Sequence, residues 1–149
     1  MNEAEDILRD YDYIDFEPSG EDWSVYHLIG SDIIVKLKGV LLKLMKQPDG
    51  YAATTQVVTA VLSPEELRRS PSKTPMPNNP KDIEDQLTQP NLEFKPIIEP
   101  WNEYTLAGGA TLSLRTMAVS FASTKLYDDL GDPVFYVTHS TILKATPLI

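Results

Sequence analysis

Apolar and polar side chains alternate along two long stretches of this chain, and in both the alternation changes parity once. Ile33, Val35 and Leu37 alternate with polar or charged neighbours, after which Val40, Leu42 and Leu44 carry the apolar set. Period two marks a strand with one buried face. The slip falls at Lys38 and Gly39, and a single extra residue that shifts the inward set predicts a β-bulge there, at a glycine that tolerates its dihedrals. Leu112, Leu114, Met117, Val119 and Phe121 repeat the pattern in step with Val35, Leu37, Val40, Leu42 and Leu44. A long bent strand is expected in each stretch.

A shorter alternation precedes the first of them, where Trp23, Val25 and His27 interleave with Ser24, Tyr26 and Leu28. Trp23 and Tyr26 are three apart, on opposite faces of an ideal strand, which requires a bulge or burial on both sides. Gln-Pro-Asp-Gly at 47–50 is strong turn chemistry, with proline fixing φ and Asp-Gly accepting a positive one. It predicts a hairpin whose return strand covers 51–62. The matching return strand, 134–144, follows a longer acidic loop at 127–133. Both returns end at a proline pair, Ser63-Pro64 and Thr146-Pro147, where a ladder cannot continue.

Residues 14–30 align without a gap to residues 92–108. Seven of the 17 positions are identical: Phe16/Phe94, Pro18/Pro96, Glu21/Glu99, Trp23/Trp101, Tyr26/Tyr104, Leu28/Leu106 and Gly30/Gly108. Chance supplies about one such identity, so the chain reads as an internal duplication. The expected fold is all-β with short helices, a duplicated β-unit packed as a pseudo-twofold β-sandwich or barrel. Its organisation is an acidic arm at 1–13, a first repeat at 14–62, a proline-rich linker at 63–91 and a second repeat at 92–149. A unit of about 50 residues buries too little surface alone, which favours packing of the two together over two small barrels in tandem.

Helical signals are confined to the arm and the linker. Ala4, Ile7, Leu8 and Tyr11 share one helical face, with Asn2 as cap and Glu3, Glu5 and Asp6 in the first turn. Ser63 and Glu66 have the form of a capping box ahead of a turn at 65–69, and Asn79-Pro80 opens a second short helix reaching Leu87. Eight of the 12 prolines lie between Pro64 and Pro100. Residues 70–79, almost without apolar content, are expected to be mobile and open to proteases.

Charge changes this picture in one place. Of the net −9, residues 1–22 hold nine acids against one base, and the rest of the chain is nearly neutral. Such an arm disfavours a nucleic-acid partner, whose affinity rests on Lys and Arg neutralising phosphates. It fits a basic surface instead, with Asp6, Asp10, Asp12 and Asp15 as candidate partner-binding residues, or it only keeps the arm solvated. No cysteine is present, and no apolar run approaches the roughly 18 residues of a membrane span. The start lacks a basic and then apolar leader. A cytoplasmic or particle-associated protein is expected.

Candidate chemistry is sparse. There is no phosphate loop, H-E-x-x-H, G-x-S-x-G or calcium loop. Asp10, Asp12 and Asp15, and Asp128, Asp129 and Asp132, lack the alternation and terminal Glu of a calcium site. His27 and His139 occupy non-equivalent places and read as hydrogen-bonded or surface residues. Glu21 and Glu99 are the acids kept in both repeats; they suit acid/base work in a metal-dependent enzyme, or local pairing that fixes the chain entering a strand. Trp23, Tyr26, Trp101 and Tyr104 form a candidate platform for a glycan or small ligand, set against a role as core and seam. The leading expectation is a non-catalytic structural, assembly or adaptor protein acting through a protein partner or self-association, as in a virion or filament, with no cofactor, metal, nucleic acid or membrane.

Overall fold

The computed structural model describes residues 12–146. The strands in chain order are β1 (Phe16–Gly20), β2 (Ser24–Leu28), β3 (Ile34–Gln47), β4 (Gly50–Leu62), β5 (Leu87–Gln89), β6 (Phe94–Ile98), β7 (Trp101–Leu106), β8 (Thr111–Tyr127) and β9 (Pro133–Thr146), with one short helix, α1 (Pro80–Gln86). They form two antiparallel sheets that pack face to face as an all-β sandwich. The first sheet runs β4-β3-β2-β6, and the second runs β1-β7-β8 with β5 further along β8 and β9 on its opposite edge. The predicted N-terminal helix, with Asp6 and Asp10, and Pro147 lie outside the described residues.

Sheet membership does not follow the sequence halves. β1 leaves its neighbours and pairs with β7, matching Phe16 to Leu106 and Pro18 to Tyr104. β6 does the converse beside β2, matching Phe94 to Leu28 and Pro96 to Tyr26. Both pairings slip register just past the proline, which has no N–H to give the ladder. Neighbouring backbone bonds recur in the same way: Ile14 N–H donates to Leu44 and Leu92 N–H to Phe121, at 2.8 and 2.9 Å.

Because the strands cross between sheets, each core cluster draws on both halves. Tyr26, Leu28, Ile33, Val35 and Leu37 close over Phe121, while Tyr104, Leu106, Leu112 and Leu114 close over Leu41 and Leu44. The rings meet edge to face, Phe16 with Tyr104 at 5.7 Å and Phe94 with Tyr26 at 5.8 Å, an arrangement the ring quadrupoles favour.

The hairpin at 47–50 forms as expected, with Gln47 opposite Gly50 at φ 141°. The bulge does not sit at Gly39. Val35, Leu37, Gly39 and Leu41 all face inward, and the register slips between Leu41 and Lys43, leaving Leu42 as the extra residue. β8 slips between Ala118 and Ser120, at Val119. Gly39 holds an inward place without a side chain, so the hydrophobic pattern breaks three residues before the backbone does. A Cβ there would overlap Thr116 Oγ1 and come within 2.7 Å of Leu114 Cδ2. Glycine is required by the close approach of β3 to β8, not by its dihedrals.

The linker is tied to the second sheet. The hydroxyl of Ser63 donates to Asp132 instead of capping a helix, and the 3-10 turn Glu65–Leu67 carries no side-chain cap. Arg68 Nε approaches Asp132 at 3.5 Å and donates from its guanidinium to the Ser63 carbonyl at 3.1 Å. Ser72 exchanges hydrogen bonds with the backbone of Tyr127 at 3.0 and 2.9 Å, which anchors the start of the stretch expected to be mobile. α1 has its expected cap, Asn79 Oδ1 accepting from Asp82 N–H at 2.9 Å.

Candidate functional site

A bulge leaves one backbone group without its ladder partner, and the polar chemistry of the interior is built on that vacancy. The N–H of Leu41, beside the β3 bulge, donates to Tyr104 Oη at 3.1 Å, and Tyr104 in turn donates to Glu21 Oε2 at 2.6 Å. The N–H of Ala118, beside the β8 bulge, donates to Tyr26 Oη at 2.8 Å, and Tyr26 donates to Glu99 Oε2 at 2.6 Å. Each tyrosine reaches from one sheet to the bulge of the other. Two further bonds cross beside them: Ser24 Oγ donates to the Thr116 carbonyl at 2.7 Å, and Asn102 Nδ2 to the Gly39 carbonyl at 3.2 Å.

Tyr26 and Tyr104 are 0% and 1% exposed. Burial, then the hydrogen bond to a carboxylate, raises both phenols, Tyr104 to about 12 and Tyr26 further. Both stay neutral donors at any ordinary pH. Glu21 and Glu99 therefore do not pair locally with the chain entering their own strands. Each accepts from a tyrosine of the other half, so the two carboxylates serve separate hydroxyls.

The four aromatic candidates divide by depth. The tyrosines are core and offer no ring to a ligand. Trp23 and Trp101 lie on the outer faces, and each is covered by two cations: Lys36 and Lys38 sit 5.3 and 5.8 Å from the Trp23 ring, Lys144 and Arg115 sit 5.2 and 5.9 Å from that of Trp101. Such contacts draw on the negative face of the indole. The opposite-face geometry of Trp and Tyr is thus resolved with tyrosine inward and tryptophan outward.

Of the remaining candidates, Asp15, His27, Asp128 and Asp132 are occupied by fold chemistry. Asp128 Oδ1 accepts from the N–H groups of Leu130 and Asp132, and buried Asp132 holds Ser63 and Arg68. Asp15 Oδ1 accepts from Phe16 N–H, and Asp12 is exposed. His27 Nε2 donates to the Ser31 carbonyl at 2.6 Å, and His139 is exposed. Among the described residues no three His, Asp or Glu side chains converge as a metal would need, and no helix is long and apolar enough to cross a membrane. Sequence reading missed Asn102, Ser24, Thr116 and the bulge amides, whose roles depend on what faces them across the sandwich. The chain matches no family model, no curated protein and no solved structure.

Proposed function

We propose that this protein is a non-catalytic assembly or adaptor module, two fused β-units with exchanged first strands, that joins partners by adding strands at its sheet edges. The supporting observation is β4. It is a sheet edge of 13 residues, Gly50–Leu62, without one charged side chain. Natural edges are blunted by lysine, proline or cover because a row of unpaired N–H and C=O groups templates pairing with another chain. Among the described residues β4 has none of these devices and is rich in Thr and Val, and β9, the long edge of the other sheet, carries Lys144 and His139 along its 14 residues. Main-chain pairing at such an edge supplies affinity, and outward side chains supply choice of partner.

Light scattering of the full chain over a range of concentrations tests this reading. The expected result is a concentration-dependent oligomer that Val58→Lys weakens roughly fivefold or more, through like charges placed opposite each other across the new pairing. Val58 is 37% exposed and sits opposite Lys38, so the melting temperature of the variant is measured beside its mass, and the result counts where the fold is retained. An oligomer indifferent to Val58→Lys would remove β4 as the joining edge.

A further inference from the structure

β3 carries Lys36, Lys38, Lys43 and Lys46 and no acidic residue, in a chain whose net charge is −9. Lys36 and Lys38 flank Trp23 on the outer face of the first sheet, and Lys43 lies 5.9 Å over the Tyr13 ring. Among the described residues none of these three lysines is ion-paired. Val25 and Val58 flank the same lysines in register, so the face mixes cations with apolar surface. The predicted N-terminal helix has the complementary character, with Ala4, Ile7 and Leu8 along one stripe beside Glu3, Glu5 and Asp6. The geometry points to an arm exchange, in which the acidic arm of one molecule docks on the lysine and tryptophan face of a second copy.

In the helical form its sequence predicts, the molecule's own arm falls short of this face. Ile14 N–H donates to the Leu44 carbonyl and Lys46 N–H to that of Asp12, so the chain runs antiparallel along β3 and departs at its Gln47 end. Lys36 lies ten residues back towards the other end of β3, about 33 Å away at strand rise. A ten-residue helix is about 15 Å long. An arm in that predicted helical form, folded back over its own sheet, would reach Lys43 and stop well short of Lys36 and Trp23.

This inference rests on the assembly reading, and Val58 borders the same face opposite Lys38; the charge reversals leave β4 untouched, so the two readings fail separately. The test measures mass by light scattering for the full chain, for Lys36→Glu with Lys38→Glu, and for Glu3→Lys with Glu5→Lys and Asp6→Lys. Arm exchange predicts a defined multiple of the 16.7 kDa chain mass, weakened by added salt. Either charge-reversed variant alone weakens it roughly tenfold or more, and an equimolar mixture of the two recovers it. A synthetic peptide of residues 1–11 added to the full chain dissociates the assembly and changes Trp23 emission in a Trp101→Phe background. A monomer at every concentration overturns the inference, as does an assembly that both charge-reversed variants leave unchanged. If Val58→Lys dissociates the assembly and neither charge-reversed variant does, strand addition stands and arm exchange falls.

Discussion

Tyr104→Phe isolates the bond that lets one sheet complete the other. The substitution keeps the ring in its pocket against Phe16 and deletes one oxygen that accepts from Leu41 N–H and donates to Glu21. Losing a hydrogen bond to a charged acceptor costs about 1.5–3 kcal/mol, and a buried N–H left orphaned costs about 1–3 kcal/mol. Glu21 is half-buried and recovers water, so the two losses do not add fully, and a net cost of about 2–4 kcal/mol is expected. Against a total of about 5–15 kcal/mol this is a large fraction. Urea unfolding measures it as a lower midpoint at unchanged slope. Tyr26→Phe should cost the same within about 1 kcal/mol, because its hydroxyl spans the Ala118 N–H and Glu99 at matching distances. Crossing Tyr104→Phe with Glu21→Gln should return a coupling of about 0.5–3 kcal/mol. A loss below about 0.5 kcal/mol for both tyrosines, the level of an inert surface change, would refute the claim that the bulge amides depend on them.

Three other outcomes follow from the same geometry. The raised phenols stabilise the fold fully below the unfolded tyrosine value near 10 and lose that contribution as pH climbs towards about 12 for Tyr104 and beyond for Tyr26; melting temperature should fall across that window while tyrosinate absorbance shows two of the seven tyrosines lagging, and uniform titration near 10 would contradict it. Gly39→Ala should destabilise by about 1–3 kcal/mol through overpacking against Thr116, and pairing it with Thr116→Gly should restore most of the loss in thermal melts. Thr116 Oγ1 is buried without a hydrogen-bond partner among the described residues, so Thr116→Val should be neutral or stabilising by about 1 kcal/mol in the same assay.

Local chemistry explains what could be read in advance. The Gln-Pro-Asp-Gly turn, the Asn79 cap and the alternation that opens β3 and β8 each depend on residues close in sequence, and each appears where its pattern placed it, whereas Leu42 and Val119, expected inward, are exposed and Leu41 and Thr116 are buried in their stead. The bulge was legible in kind but misplaced, because hydrophobicity cannot tell a glycine facing inward from a break in the strand. Ser63 and Glu66 spell a capping box, yet the Ser63 hydroxyl goes to Asp132, 69 residues on. The tyrosines announced themselves by recurring, but their partners did not, since Leu41 and Ala118 enter only through their main-chain amides. Interactions across the sandwich lie between positions about 60 to 90 apart, where a single sequence carries no register.

The crossing of β1 and β6 also dictates an order of events during synthesis. β1 matches Phe16 to Leu106, so this strand waits through 90 further residues of synthesis before its ladder exists. Until then β2 shows an open slot that only β6 fills. Pairings at such separation close slowly, and a slot of this kind accepts the same strand from a neighbouring nascent chain as readily as from its own. The fold thus carries a built-in competition between folding alone and intertwining with a copy, decided by how many molecules are folding side by side.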